Sequence, residues 1–222
     1  MKETVTTLSD LVRDGKVRYM GCSNFPAWQL EKALRISEVN GLESFVTVQP
    51  RYNIMDRDIE RDLLPLCVEE GIGVISYSPL AGGFLTGKYR LGKPAPEGTR
   101  GQLRPEFMSR TVTPRNQAIL EELEKICGET GLSMSQLSLA WLMANPVITA
   151  PIIGASSLEQ LSMNIDVVNH KVSAENLKRI NEASKPDWLS EQEEQNAQSR
   201  AFQEQRLEYW RKKVEESRRA FV

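Results

Sequence analysis

The sequence predicts an α/β fold in which a parallel β-sheet is covered by helices. Short runs of apolar, often β-branched residues alternate along the chain with stretches whose apolar residues recur at helical spacing. The 222 residues, 40% of them hydrophobic, are enough to bury a sizeable core. We therefore expect strand–helix units whose strands pair in parallel.

The first half of the chain holds three such units. We predict strands over residues 17–22, 44–48 and 72–77, and helices over residues 5–13, 26–37 and 59–70. Pro26 suits the first turn of its helix, because its fixed φ is helical and no N–H is needed there. Gly71 ends the third helix.

Residues 79–113 interrupt this alternation. They are rich in Gly, Pro, Arg and Lys and show no hydrophobic period. A loop of that length inside a compact domain usually closes over a ligand, so we interpret it as a lid or binding loop.

The alternation then resumes with one more strand. We predict helices over residues 114–128, capped by Thr113, and 133–145, where Ser133 and Gln136 have the spacing of a capping box. A strand over residues 149–153 and helices over residues 157–167 and 173–183 follow. Four strands are half of the eight in a TIM barrel of about 250 residues, so we expect half a barrel or a small open sheet.

The last part of the chain, residues 187–222, differs in composition. Ser190 and Glu193 have the spacing of a helix start. An apolar stripe at helical spacing follows, formed by Leu207, Trp210, Val214 and Phe221. Two interpretations remain open: a helix packed on the domain surface, or one that pairs with a partner chain.

Composition excludes several classes of protein. The net charge of −2 shows no basic excess, so nucleic acid is not an expected partner. No run of about 18 apolar residues predicts a membrane span, and the N-terminus does not resemble a secretory signal. The sequence has neither the cysteine spacing of a disulfide framework nor the ligand spacing of a zinc site: its cysteines are Cys22, Cys67 and Cys127, and its single histidine is His170. We therefore expect no metal and a cytoplasmic location.

Polar and glycine-rich segments follow each predicted strand, where parallel α/β folds bind their ligands. Ser23, Asn24 and Gln49 can hydrogen-bond a carboxamide, and the flat ring of Tyr77 can stack on a planar heterocycle. The alternatives are that Ser23 or Asn24 only caps the next helix and that Gln49 only satisfies a turn.

The other two segments suit phosphate. Gly82 lets the backbone approach a pyrophosphate, which Lys88 and Arg100 could neutralise. After the fourth strand the chain enters a helix whose N-terminal N–H groups attract anions. Three polar residues lie there: Ser156, Gln160 and Asn164. The spacing of Ser156 and Glu159 also predicts a capping box, which is compatible with a phosphate site.

Together, these segments resemble the aldo-keto reductases. The motifs occupy residues 15–25, 48–53, 77–89 and 151–161 in the family's order, and the resemblance spans residues 4–185. It is closest to the branch that contains the potassium-channel β subunits and many bacterial reductases. It implies a domain over residues 1–185, formed by the fifth to eighth strand–helix units of the family's barrel, and an extension over residues 186–222.

The resemblance implies an NADP(H) site and assigns each residue a part in it. Ser23, Asn24 and Gln49 match the positions that hold the nicotinamide carboxamide, and Tyr77 matches the aromatic that stacks on the ring. The positions on the pyrophosphate side are matched by Ser78, Leu80 and Gly82. The basic groups of the closing loop are matched by Lys88 and Arg100. The adenosine and 2′-phosphate end is matched by Ser156, Gln160 and Asn164. Met163 departs from the acidic residue common at its position. No Lys or Arg lies within residues 154–164, so the NADP preference rests on Arg100.

The family's chemistry, reduction of aldehydes and ketones to alcohols, uses a Tyr proton donor aided by Lys, Asp and His. Those motifs lie on the first four units of the family's barrel and are not found here, so we expect no catalytic residue in this chain. A small carbonyl compound would be the substrate once an N-terminal half is supplied. The alternatives are an inactive nucleotide-binding or interaction module and a truncated product.

Half a barrel would leave two sheet edges and an apolar inner face open. We therefore expect one of three outcomes: a homo-oligomer that covers the edges, completion by a separate N-terminal fragment, or marginal solubility.

Overall fold

A four-stranded parallel sheet forms the centre of the computed structural model, which describes residues 1–199 and residue 203. The strands are β1 (Met20–Ser23), β2 (Phe45–Gln49), β3 (Gly73–Ser76) and β4 (Ile148–Pro151). They lie in the order β1-β2-β3-β4, and every neighbouring pair is parallel. The predicted α/β fold is confirmed, and the arrangement is consistent with a partial TIM barrel.

Helices connect the strands and cover the sheet. They are α1 (Lys2–Arg13), α2 (Ala27–Asn40), α3 (Leu63–Glu69), α4 (Arg100–Leu103), α5 (Pro105–Thr111), α6 (Pro114–Thr130), α7 (Met134–Met143), α8 (Leu158–Asp166) and α9 (Ala174–Ala183). Short 3-10 helices occupy Asp58–Glu60, Ala81–Thr86 and Val167–Asn169. In the described part of the chain, no helix is long and apolar enough to cross a membrane.

The chain divides into two compact units, the first spanning Met1–Ser184 and the second starting at Lys185. The first contains the sheet and its helices. In the second, residues 187–199 are helical. The predicted apolar stripe of Leu207, Trp210, Val214 and Phe221 lies outside the described residues.

One face of the sheet forms the core. Val48 and Val74 are fully buried there, and Ile148 is nearly so. They belong to one hydrophobic cluster with side chains from the surrounding helices, such as Leu30 and Leu120. Burial of this face is what holds the helices on the sheet.

The opposite face carries small and polar side chains. Gly21 pairs with Thr47, and Thr47 pairs with Gly73. A β-carbon on Gly21 would lie 2.3 Å from Oγ1 of Thr47, and one on Gly73 would lie 3.3 Å from Oγ1 of Thr149. Glycine at these two positions leaves room for the side chains of Thr47 and Thr149 on the neighbouring strands.

Helix starts were predicted well where a side chain caps the helix. The Thr113 side chain accepts from the Asn116 N–H, and Ser133 and Gln136 form both bonds of a capping box. Pro26, however, is the N-cap of α2 and lies just before its first turn. The helix predicted over residues 59–70 is instead a 3-10 turn followed by the shorter α3.

The segment 79–113 is more ordered than its sequence indicated. It contains the 3-10 helix Ala81–Thr86 and the helices α4 and α5. The fully buried Tyr89 holds them: its hydroxyl accepts a 3.1 Å hydrogen bond from the Gly101 N–H, and its ring packs edge-on against Phe107 at 5.5 Å. Because these helices depend on tertiary contacts, the absence of a hydrophobic period did not exclude them.

A buried arginine ties the segment after β2 to the end of α9. The Arg57 side chain is 8% exposed and forms a bidentate pair with Glu60, with Nε–Oε1 and Nη2–Oε2 distances of 2.8 and 2.9 Å. Its third nitrogen donates to Oγ of Ser184 at 2.9 Å. The guanidinium also lies 5.4 Å from the centre of the Trp141 ring.

We predict that Arg57→Ala lowers the free energy of unfolding by about 2–3 kcal/mol, because it leaves the Glu60 carboxylate, which is only 19% exposed, with the Tyr52 hydroxyl as its remaining hydrogen-bond partner among the described residues. Arg51→Ala is the matched control. It removes an arginine whose pair with Asp56 is 48% and 38% exposed, and such pairs contribute less than about 1 kcal/mol. Urea denaturation of both variants measures the difference. Equal losses would contradict the assigned role of Arg57.

Candidate functional site

The carboxyl ends of the first two strands meet at one edge of the sheet. Ser23 ends β1 and Gln49 ends β2, and the two residues are register partners. The Ser23 hydroxyl donates to the Gln49 carbonyl at 2.8 Å, and the Asn24 N–H donates to the same oxygen at 3.2 Å. The strand ladder therefore continues one residue beyond β1.

The third strand brings an aromatic side chain to the same place. The Tyr77 N–H donates to the Pro50 carbonyl at 2.9 Å, and Tyr77 forms a parallel bridge with Arg51. The Tyr77 hydroxyl donates to Oδ1 of Asn24 at 3.0 Å. The structure thus brings Ser23, Asn24, Gln49 and Tyr77 together, as the sequence predicted.

The structure also tests the alternative explanations for these polar residues. Neither Ser23 nor Asn24 caps α2, whose N-cap is Pro26 without a side-chain bond. Asn24 has a φ of +58°, a left-handed conformation that asparagine adopts more readily than most residues. Ser23, Asn24 and Gln49 are exposed and Tyr77 is half-buried, so a ligand can reach them.

Cys22, just before this cluster, does not supply a nucleophile. Burial raises the pKa of the Cys22 thiol to about 11, and the nearby Cys67 adds to the shift. The thiol therefore stays protonated at neutral pH, and protonated thiols are poor nucleophiles. In the described part of the chain, no group of three or more His, Cys, Asp or Glu residues could hold a metal ion.

After Tyr77 the chain turns sharply. Ser78 has a φ of +56°, and Gly82 and Gly83 have φ values of +65° and +95°. The Gly83 N–H donates to the Leu80 carbonyl at 2.8 Å. Side chains would strain the backbone at the two glycines, which explains why glycine occupies both positions.

Two basic side chains lie beside this glycine turn. A β-carbon on Gly83 would lie 3.0 Å from Nζ of Lys88, and one on Gly82 would lie 3.2 Å from Nη1 of Arg100. Both basic residues are exposed, and neither forms an ion pair with any described residue. The bare backbone and two uncompensated positive charges make this turn suitable for an anion.

Asn53, which was not among the predicted site residues, supports the turn. It is fully buried, and its Nδ2 donates to the Ser78 carbonyl at 3.1 Å and to Asp56 at 2.8 Å. Its Oδ1 accepts from the N–H groups of Met55 and Asp56. The signal available in the sequence was an asparagine, rarely buried without partners, close after a strand.

The fourth strand leads to the polar residues of α8. The Ile152 N–H donates to the Ser76 carbonyl at 2.7 Å, which extends the ladder past β4. Ser157, and not Ser156, caps α8 by accepting from the Gln160 N–H, so the capping box predicted for Ser156 and Glu159 was wrong. The N–H and hydroxyl of Ser156 both donate to Oε1 of Gln160 at 3.0 Å.

Asn164 lies apart from this pair. It is 6% exposed and lines a cavity of about 400 Å³ beside β4, together with Thr149 and Leu139, whereas Gln160 is exposed. Among the described residues, no hydrogen bond joins the Ser156–Gln160 pair to the cluster around Tyr77. The structure therefore holds the predicted site residues in separate groups along the same edge of the sheet.

Comparisons with known proteins agree on one family. A model described as the aldo/keto reductase family matches residues 1–185. The uncharacterized oxidoreductase YrpG of Bacillus subtilis is 38% identical over 171 residues, which is 77% of this chain and 50% of that protein. A putative voltage-gated potassium channel subunit beta of Schizosaccharomyces pombe is 39% identical over 191 residues, 82% of this chain and 54% of that protein.

An aryl-alcohol dehydrogenase (NADP(+)) of Phanerodontia chrysosporium is 28% identical over 183 residues, 82% of this chain and 48% of that protein. The chain thus spans about half the length of the curated relatives that it matches.

Proposed function

Because this chain belongs to the aldo/keto reductase family, an oxidoreductase family, we propose that residues 1–185 form the NADP(H)-binding part of an enzyme that reduces aldehydes and ketones to alcohols. The observation that carries the proposal is the meeting of three strand ends at one edge of the sheet. There Ser23 and Asn24 both donate to the Gln49 carbonyl, and the Tyr77 hydroxyl donates to Asn24. Such edges bind ligands in parallel α/β folds.

The polar groups at this edge suit a nicotinamide. A carboxamide offers one acceptor and two donors, and Asn24 and Gln49 carry groups of both kinds. The half-buried ring of Tyr77 supplies the apolar surface on which a planar heterocycle stacks. In this proposal the ring of Tyr77 also decides which face of the nicotinamide points towards the substrate.

The glycine turn suits the diphosphate that follows. We assign the diphosphate to the backbone of Ser78, Leu80 and Gly82, beside which Lys88 and Arg100 supply the positive charge. The ring of Phe107 bounds the space beside Gly82, where a β-carbon would lie 2.7 Å from Cε2 of that ring. We assign Ser156, Gln160 and Asn164 to the adenosine end. We assign preference for the 2′-phosphate to Arg100, since residues 154–164 contain no Lys or Arg.

We predict that Lys88→Ala and Arg100→Ala each weaken NADPH binding about tenfold, because each removes a charge-assisted contact to phosphate. Lys88→Ala should weaken NADH binding equally. Arg100→Ala should weaken NADPH binding more than NADH binding, because we assign Arg100 to both the diphosphate and the 2′-phosphate. Fluorescence titration of the bound reduced nucleotide measures both affinities.

Lys93→Ala is the matched control, because Lys93 is an exposed lysine of the same segment with no contact to the glycine turn. Loss of affinity in the Lys93 variant equal to that in the Lys88 variant would show that only net charge matters. The assigned contact would then be wrong.

We propose that the catalytic groups are supplied from outside these residues. A tyrosine proton donor needs a pKa lowered towards the working pH. The pKa of Tyr52 is instead raised, first by burial and then by its hydrogen bond to Glu60. Tyr89 is fully buried, and the one histidine, His170, is bonded to Asp166 at 2.7 Å. These surroundings favour, as a second candidate function, a nucleotide-binding module without catalysis of its own.

We predict that the 222-residue chain oxidises NADPH no faster with an added aromatic aldehyde than without it. Absorbance at the nicotinamide band follows the reaction, and the binding titration on the same sample shows that the site is formed. Turnover of about 1 s⁻¹ or more, ordinary for an enzyme, would show that the chain carries its own catalytic residues.

The unpaired edges of the sheet are where we expect another chain to bind. Among the described residues, β1 and β4 each pair on one side only. Ile165 and Val168 are 54% and 64% exposed and line the apolar cavity beside β4. We propose that a second copy of this chain covers this surface.

Gel filtration at several concentrations should therefore show a dimer that dissociates on dilution, and Ile165→Glu should shift it to monomer. Val39→Glu is the control, because Val39 is 82% exposed on α2, away from this surface. A monomer at every concentration in the unaltered chain would rule out pairing with a second copy.

A further inference from the structure

The glycine turn begins with a backbone conformation that side chains disfavour. Ser78 and Ala81 have φ values of +56° and +49°, and both carry a β-carbon. A left-handed conformation at such residues is strained, and it persists only where the surrounding structure holds it in place. Contacts outside the turn must therefore help to keep its shape.

The strained conformation leaves two N–H groups without a partner. Leu80, with a φ of −104° and a ψ of 18°, is followed by the left-handed Ala81. Such a change of hand at successive residues forms a concave nest of N–H groups that binds anions. The Ala81 N–H donates to the Ser78 carbonyl, but the N–H groups of Leu80 and Gly82 donate to none of the described residues. These two groups remain available to a ligand.

The buried side chain of Asn53 holds the start of this turn. Its Nδ2 donates to the Ser78 carbonyl at 3.1 Å and to Oδ2 of Asp56 at 2.8 Å. Its Oδ1 accepts from the N–H groups of Met55 and Asp56 at 3.0 and 3.1 Å. The orientation of the amide is therefore fixed, because a backbone N–H can only donate and a carbonyl can only accept.

The bond from Asn53 reaches the strained backbone directly, across 25 residues of sequence. The Ser78 carbonyl accepts from the Asn53 amide and from the Ala81 N–H, the latter at 2.9 Å. Without the amide, the turn's own bond alone would hold this peptide. The two positive φ values would then favour relaxation of the turn.

We propose that Asn53 is a positioning residue: its amide keeps the strained turn in the conformation that presents the Leu80 and Gly82 N–H groups to the diphosphate of the nucleotide. The proposal rests on the proposed function, since the ligand is taken to be NADP(H). Asn53 is itself fully buried and acts through the backbone of Ser78.

Asn53→Ser removes this support with little harm to the rest of the fold. A serine hydroxyl can still accept from a backbone N–H two residues on, but it is too short to reach Ser78. The Ser78 carbonyl keeps its bond from the Ala81 N–H. Oδ2 of Asp56 keeps its 2.8 Å bond from Nε of Arg51.

Calorimetric titration of the full chain with two ligands measures the effect: NADP⁺, and adenosine 2′-monophosphate, which lacks the diphosphate. Asn53→Ser should weaken NADP⁺ binding about tenfold, because binding must then restore a turn that is no longer held in place. The affinity for adenosine 2′-monophosphate should stay within about twofold.

Asn145→Ser is the matched control. Oδ1 of Asn145 also accepts from the N–H two residues on, and its Nδ2 donates to the Tyr52 hydroxyl at 3.3 Å. None of these bonds reaches the glycine turn, so both affinities should stay unchanged.

A second variant, Ser78→Gly, tests the part played by strain. Glycine adopts a positive φ without steric cost, so a turn with this substitution needs less support from Asn53. In the Ser78→Gly background, Asn53→Ser should therefore weaken NADP⁺ binding only about threefold. Comparison within that background cancels any direct contact between the Ser78 side chain and the ligand.

Several outcomes would overturn the inference. Unchanged NADP⁺ affinity in the Asn53 variant would show that the turn keeps its shape alone. Equal weakening of adenosine 2′-monophosphate, or of NADP⁺ in the Asn145 control, would show a general loss of structure. The same tenfold loss with and without Ser78→Gly would exclude strain as the cause. Failure of the unaltered chain to bind NADP⁺ at all would instead refute the proposed function, and the inference with it.

Discussion

The parallel register of four short strands is the constraint on which the rest of the structure depends. Each strand has only four or five residues, yet backbone hydrogen bonds continue past the strand ends, from Asn24 to Gln49, from Tyr77 to Pro50 and from Ile152 to Ser76. These bonds bring separate sequence motifs to one edge. A slip of one residue would turn the side chains of a strand to the other face and separate them.

Small residues occupy the strand positions where neighbouring side chains lie closest. Gly21 and Gly73 lie against Thr47 and Thr149, and Oγ1 of Thr149 accepts a hydrogen bond from the Val74 N–H at 3.0 Å. A side chain thus replaces a ladder partner where the register between β3 and β4 shifts.

Much of this architecture was predictable because it depends on local patterns. Apolar runs marked the four strands to within a few residues, and cap spacing located the starts of α6 and α7. The helices of segment 79–113 were missed because Tyr89 and Phe107 hold them through tertiary contacts.

Spacing could not distinguish Ser156 from Ser157 as the cap of α8, since both precede the helix and both bond Gln160. The bond from Tyr77 to Asn24 joins residues 53 apart, and no pattern within the sequence encodes it.

The basic residues beside the glycine turn also bear on how fast a ligand arrives. Lys88 and Arg100 are exposed and form no ion pair with the described residues, so their fields extend into solvent. A field of this kind steers anions from about a Debye length away, roughly 8 Å at physiological ionic strength. Added salt shortens that reach, so the association rate of a dianionic ligand should depend on ionic strength more than its dissociation rate does.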